Sequence, residues 1–305
     1  MKKNNLEVNL AGISLKNPII LESGCFGYGE EYQDLINIDD VGAVVTKTIT
    51  LKPKVGNPPP RLVETASGLL NSIGLANVGI ELFLKEKLPY LEKFSTPIIV
   101  SIAGETRQEY LQLIQRLNGE QIAGIELNIS CPNIGKELTV AQDEDETFSL
   151  VKAAKKQTKV PLLVKLSPNV TDITRIAKSA ERAGADILSL VNTFSAMALD
   201  VETRIPKLGG ILGGLSGPAI KPIALRMLWQ VRKATPLPLI GMGGITNSRD
   251  ALEFIIAGAN AIGLGTAIFI NPQAYLEIVD GLENYLSRKG IDDINELVDS
   301  LHVVA

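Results

Sequence analysis

Short runs of Ile, Val and Leu recur along the chain, separated by longer stretches whose apolar residues return at helical spacing. Eight such runs stand out: Pro18–Glu22, Ala43–Lys47, Pro97–Ile102, Gly124–Asn128, Pro161–Leu166, Ile187–Asn192, Leu237–Gly241 and Ala261–Leu264. Between them, Gln108–Leu117, Glu144–Gln157, Asp172–Ala183 and Ser248–Ala257 read as helices. This is the pattern of βα units around a parallel sheet. At Val41-Gly42-Ala43, Ala183-Gly184-Ala185 and Ala257-Gly258-Ala259, a glycine just past a helix is expected to supply the left-handed cap that turns the chain into the next strand. Eight repeats in about 250 residues fit a closed (β/α)8 TIM barrel better than an open doubly wound sheet. Leu6–Leu15 reads as an N-terminal β-hairpin that turns at Ala11-Gly12 and can plug the barrel's bottom. Extra length follows the second and sixth strands, at Thr48–Leu88 and Thr193–Pro218. Both read as long active-site loops, because long loops in a compact domain are usually functional.

Composition narrows the partners. With 305 residues, 45% hydrophobic and 21% charged, the chain can bury a large core, and disorder is not expected. A net charge of -4 with dispersed Lys and Arg provides neither a basic stripe for nucleic acid nor a polybasic segment for a membrane. The start lacks the apolar stretch of a signal peptide, and Gly, Asn and Thr break the most apolar later segment, Ile255–Ile270. A soluble, cytoplasmic protein acting on a small molecule or another protein is expected. Two cysteines, Cys25 and Cys131, without CxxC spacing, provide no iron–sulfur cluster and no zinc site on this chain alone. The single histidine, His302, leaves a Ser-His-Asp triad without material. Acid–base chemistry therefore falls to Cys, Lys, Asp, Glu or Tyr.

Candidate chemistry gathers where strands are expected to end, the place where barrels hold their active sites. Asn128-Ile-Ser-Cys131-Pro-Asn133 sets one thiol between amides that offer both donors and acceptors, as a planar polar substrate requires. The alternative is a buried structural cysteine. Lys47 and Lys165 end strands two and five inside apolar sequence, and each either points into a polar site or pairs with a barrel carboxylate such as Glu22 or Glu126. Glycine clusters Gly213–Gly217, Gly241–Gly244 and Gly263–Thr266 follow strands six, seven and eight. They suit a phosphate cradle built from backbone N–H groups, or simply tight turns. No G-x-G-x-x-G match is present, so a Rossmann-type site is not supported.

These residues fall into an ordered set of motifs: Asn17-Pro18, Thr46-Lys47-Thr48, Asn71-Ser-Ile-Gly-Leu-Ala-Asn77, Asn128-Ile-Ser-Cys-Pro-Asn133, Val164-Lys-Leu-Ser-Pro168, Asn192-Thr193, Gly214-Leu-Ser-Gly-Pro-Ala219 and Gly241-Met-Gly-Gly-Ile245. From about Leu6 to Pro272 the chain resembles the class 1 dihydroorotate dehydrogenases, FMN-containing (β/α)8 barrels of pyrimidine synthesis. The resemblance implies a single FMN-binding domain over residues 1–305. It implies that Cys131 is the general base, removing the C5 proton of dihydroorotate as the C6 hydride passes to the flavin. Matching positions for FMN are Ser23, Lys47, Thr48, Ser101, Asn128, Lys165, Val191, Gly217, Gly243, Gly244, Gly265 and Thr266. Those for the substrate, dihydroorotate or its product orotate, are Lys47, Asn71, Ser72, Ile73, Gly74, Leu75, Asn128, Asn192 and Thr193, with Asn133 beside them. Two departures stand out. Ser101 replaces an Asn frequent in relatives, and the Cys131 loop continues as Ile134-Gly-Lys-Glu-Leu138 where relatives are richer in glycine.

Ile129 and the stretch Leu208–Ile223 look most like subclass 1B, the NAD-linked form. In that subclass a homodimer core sits in a heterotetramer, and a second subunit, an iron–sulfur flavoprotein, carries FAD and a 2Fe-2S cluster. The resemblance thus implies an electron-transfer partner, since this chain has too few cysteines for the cluster. The rival subclass 1A is a homodimer that reduces fumarate at the same site. Another rival is the dihydropyrimidine dehydrogenase domain that shares this barrel, and Lys47 discriminates there, because dihydroorotate carries a carboxylate and uracil does not. A non-catalytic flavin-binding barrel would have no use for Cys131 and its amides. The membrane-bound class 2 uses a serine base, against which Cys131 speaks.

Overall fold

The computed structural model of the chain describes residues 4–130 and 140–302. Its centre is a closed barrel of β1 (Ile19–Leu21), β2 (Ala43–Val45), β3 (Ile98–Ile102), β4 (Gly124–Asn128), β5 (Leu162–Lys165), β6 (Ile187–Leu190), β7 (Leu239–Met242) and β8 (Ala261–Leu264). Neighbours in sequence are neighbours in space, all parallel, and β8 pairs back to β1. Each lies inside or within one residue of the run that predicts it. Prolines lack an N–H and so set several starts. Pro18, Pro97 and Pro161 stand just outside their strands and act only through carbonyls, accepting from Ile262, Val44 and Ile125 at 2.7, 3.0 and 3.0 Å. Barrel residues are buried on both faces, which is why their sequence reads as apolar runs instead of alternating.

Among the described residues six long helices form the shell: α1 (Arg107–Leu117), α2 (Glu144–Gln157), α3 (Ile173–Ala183), α4 (Lys221–Arg232), α5 (Ser248–Ile256) and α6 (Ala274–Lys289). On α3, Ile173, Ile176, Ala177, Ala180 and Ala183 share the buried face at the spacing of 3.6 residues per turn. Thr106, Asp143, Asp172 and Asn247 start α1, α2, α3 and α5 by accepting backbone N–H groups of the first turn, each cap worth about 1 kcal/mol. Gly184 (φ 98°) and Gly258 (φ 120°) take the left-handed conformation expected of them. Gly42 does not. It follows a short 3-10 turn, Ile38–Asp40, and is needed for closeness: a Cβ there would lie 2.0 Å from the Asn17 carbonyl oxygen.

The hairpin pairs Val8–Leu10 with Ile13–Leu15, and Ala11 (φ 49°) and Gly12 (φ 95°) supply the left-handed turn. Its Leu10 and Leu15 are wholly buried, and Ile13 Cδ1 would touch a Cβ placed on Gly124, the first residue of β4, at 3.2 Å. The hairpin therefore packs against the amino end of the barrel, as expected. The two long loops are more than loops. Strands from both form one antiparallel sheet in the order Phe194–Met197, Leu212–Ser216, Gly68–Asn71, Leu62–Thr65. The excursions after β2 and β6 are thus fastened to each other beside the carboxyl ends of the strands.

Candidate active site

Polar side chains converge at the carboxyl ends of β2, β3, β4 and β6. Asn128, the last residue of β4 and 8% exposed, donates from Nδ2 to Thr48 Oγ1 at 3.2 Å. Thr48 and Ser101 hydroxyls are 2.9 Å apart. From beyond β6, Asn192 Nδ2 donates to Ser130 Oγ at 2.9 Å and to Asn128 Oδ1 at 3.3 Å, and Thr193 N–H donates to Asn192 Oδ1 at 2.8 Å. Tyr110 on α1 fixes the strand end by donating to the Asn128 carbonyl at 3.0 Å. Four predicted site residues thus meet in one network, with Thr193 tied to its edge, and Ser130 leads directly in sequence to Cys131. Cys131 and Asn133 themselves lie outside the described residues.

A second group comes from the paired excursions. Asn71 Nδ2 donates to the Gly214 carbonyl at 3.1 Å, and Ser72 Oγ to that of Leu212 at 3.1 Å. Ile73, Gly74 (φ 66°) and Leu75 (φ 54°) form the turn that follows. Gly74 has no room for a side chain, since a Cβ would lie 2.4 Å from Asn57 Oδ1. Lys47 is half-buried at the end of β2, and burial lowers its pKa from the ordinary lysine value. A depressed ammonium pKa at a strand end leaves the group in want of an anionic partner.

Lys165 resolves differently. Its ammonium donates to Glu22 Oε2 at 2.7 Å and stands 4.0 Å from Glu126 Oε1, so it has carboxylate partners, a pairing compatible with a ligand at the same strand ends. Glu126 also accepts from Ser189 Oγ at 2.8 Å. Burial opposes the charge on Lys165, but Glu126 and Glu22 outweigh it and hold its pKa above the ordinary value. Burial pushes the Glu22 carboxyl up, Lys165 pulls it back, and Glu126 pushes it up again; the net direction is upward. Gly263 on β8 makes this arrangement possible, because a Cβ there would fall 2.5 Å from Glu22 Oε1.

The glycine clusters also come together. Gly244 (φ 75°) closes on the Gly217 carbonyl, which a Cβ would approach to 2.8 Å, and Gly217 (φ 90°) and Gly243 (φ 122°) are likewise left-handed. Thr266 Oγ1 donates to Ser216 Oγ at 2.7 Å, joining β8 to the excursion sheet. The N–H groups of Gly244, Gly265 and Thr266 donate to no other described residue. A Cβ on Gly24 would meet nothing within 4 Å, and one on Gly265 only Cys25 Sγ at 3.5 Å. Unengaged backbone donors beside open space suit an anion such as a phosphate. Ser23 and Val191 are buried at the ends of β1 and β6. Burial pushes the Cys25 thiol up to about 12, which keeps it a neutral packing group. Sequence reasoning missed the brace behind this cradle: Asp250 accepts from Lys221 Nζ at 2.6 Å and from Thr246 N–H at 2.9 Å. Lys221 comes from a different helix, so no spacing signals its bond, whereas the Thr246–Asp250 contact is local to the start of α5.

Among the described residues no group of three or more His, Cys, Asp or Glu could hold a metal ion, and no helix is long and apolar enough to cross a membrane.

A parallel eight-stranded barrel whose carboxyl ends gather amide and hydroxyl side chains and a set of close-packed glycines defines an enzyme of the TIM-barrel class. Residues 5–286 match the family model "Dihydroorotate dehydrogenase", and the chain belongs to that family. It is 48% identical to the dihydroorotate dehydrogenase B (NAD(+)) catalytic subunit of Geotalea daltonii, over 99% of this chain and 100% of that one. It is 52% identical to the protein of the same name from Pelobacter propionicus, over 98% and 99%. Among solved structures it is similar to the Eimeria tenella DHODH crystallised with ferulenol, with a TM-score of 0.80, 25% identity, and coverage of 97% of this chain and 88% of that one.

Proposed function

We propose that this chain oxidises dihydroorotate to orotate in de novo pyrimidine biosynthesis, as a single FMN-binding domain that passes its electrons to NAD through an iron–sulfur flavoprotein subunit carrying FAD and a 2Fe-2S cluster. The observation that carries the reading is the Thr48–Asn128–Asn192–Ser130 network at the ends of β2, β4 and β6, immediately ahead of Cys131. The N–H groups of Gly244, Gly265 and Thr266, with Gly217 and Gly243 shaping the turns, would hold the FMN phosphate. Ser23, Lys47, Thr48, Ser101, Asn128, Lys165 and Val191 would line its ring. FMN, when bound, supplies the hydride acceptor.

The protein's own part is to bind, orient and move one proton. Asn71, Asn128, Asn133 and Asn192 match the alternating N–H and C=O edge of the pyrimidine, with Ser72 through Leu75 and Thr193 closing the pocket. Lys47 receives the substrate carboxylate, which supplies the anion its half-buried ammonium lacks. Cys131 Sγ takes the C5 proton. Substituting Cys131→Ala should leave a yellow protein that still shifts its flavin spectrum on binding orotate, while kcat falls by about 10²- to 10⁴-fold, the usual worth of a general base. Full turnover by that variant would overturn the assignment. For the acceptor, the flavin-loaded chain alone should reduce neither NAD nor fumarate at a useful rate until an iron–sulfur flavoprotein is added. Rapid fumarate reduction by the chain alone would favour the homodimeric 1A reading.

A further inference from the structure

Inside the barrel, Glu22, Glu126 and Lys165 place two carboxyl groups and one ammonium in an enclosure whose side chains are 5%, 0% and 7% exposed. The charges do not balance if both carboxyls are ionised. Oε1 of Glu22 and Oε1 of Glu126 are each buried without a hydrogen-bond partner among the described residues. Among the described residues, the elements packed around them bring no second cation: β3 contributes the Ser101 hydroxyl, β6 the Ser189 hydroxyl, β8 the bare Gly263, and the turn after β1 the neutral Cys25 thiol. Lys47 acts on Cys25, and the charges that act most strongly on Glu22 are those of Lys165 and Glu126. An uncompensated carboxylate in such a place costs several kcal/mol, and two carboxyls that share a site ionise one at a time.

We propose that Glu22 and Glu126 share one proton at neutral pH, so that with Lys165 they form an electrically neutral block directly behind the cofactor and substrate pocket. Its place follows from the register. Glu126 precedes Asn128 by two residues on β4 and so shares its inward face, and Asn128 pairs with Lys165 across β4 and β5. Neutrality leaves the Lys165 ammonium able to favour negative charge arriving on a neighbouring ring, an effect that a second ionised carboxylate would cancel. That consequence rests on the flavin reading above; the proton count does not.

The test is infrared difference spectroscopy and potentiometry on the flavin-loaded enzyme. Substituting Glu126→Gln removes the proton together with its site and leaves a Glu22–Lys165 pair. A carboxylic-acid C=O band that shifts in D2O should therefore vanish, and the flavin midpoint potential at neutral pH should stay put. Glu22→Gln should remove the same band, with Glu126 becoming the counterion. A wild-type spectrum with no such band, or a potential that rises in Glu126→Gln because a negative charge has been deleted, overturns the proposal. If neither variant folds, titrating the wild-type band decides: persistence above the ordinary carboxylate range supports the shared proton, and loss within that range refutes it. A chain that binds no flavin yet keeps the band supports the proton count and sinks the flavin reading.

Discussion

At the scale of residues, Lys165 shows what a one-dimensional reading can and cannot resolve. A lysine inside Leu162-Leu-Val-Lys165-Leu is visibly out of place on a surface, but its two explanations, a polar pocket or a carboxylate partner, look identical in sequence. The carboxylate partners become visible only when β1, β4 and β5 bring Glu22 and Glu126 alongside. Lys165→Met should destabilise the fold by about 3–5 kcal/mol, because it strands a buried acid pair. A urea midpoint within error of wild type would argue against that. The raised Glu22 carboxyl also carries a pH signature. Between its unfolded value of 4.5 and its higher folded value the native state binds the extra proton, so this contribution is fully present below 4.5 and lost as pH rises through the folded value. Unfolding measured across that window should show stability falling with pH in wild type and a flatter profile in Glu22→Gln.

Among the elements, what buries itself on both faces was legible and what pairs at long range was not. All eight barrel strands follow from apolar runs bounded by Pro and Gly, and four helices from their periodicity. The sheet formed by the two excursions escapes such reading, because its strands are short, rich in glycine and partly exposed, with Leu62, Met197 and Leu212 facing outward. Its register joins positions as distant as Asn71 and Gly214, and side-chain hydrogen bonds that no periodicity records hold it. Gly214 is the tightest point, where a Cβ would sit 2.0 Å from Thr193 Oγ1. Gly214→Ala should force Thr193 and Asn71 apart and raise KM for dihydroorotate, with little change in the unfolding midpoint, since the barrel core is untouched. An unchanged KM would mean that this sheet does not position the substrate. Helix starts are local by contrast, though none was read from the sequence: Thr106→Ala should cost about 1 kcal/mol through the lost bond to the Glu109 N–H.

Taken whole, the molecule is a barrel with one end closed. Leu10, wholly buried between the hairpin and the strand starts, should cost about 2–5 kcal/mol when cut to Ala, a loss readable by urea unfolding. The filled interior above the stopper also governs traffic. A vessel sealed at its base has a single rim, so a pyrimidine and its oxidised product must queue at one doorway, each waiting for the other to clear. Electrons need no doorway. On the function proposed above they pass to a separate subunit, and an acceptor of that kind would not have to compete with the substrate for entry.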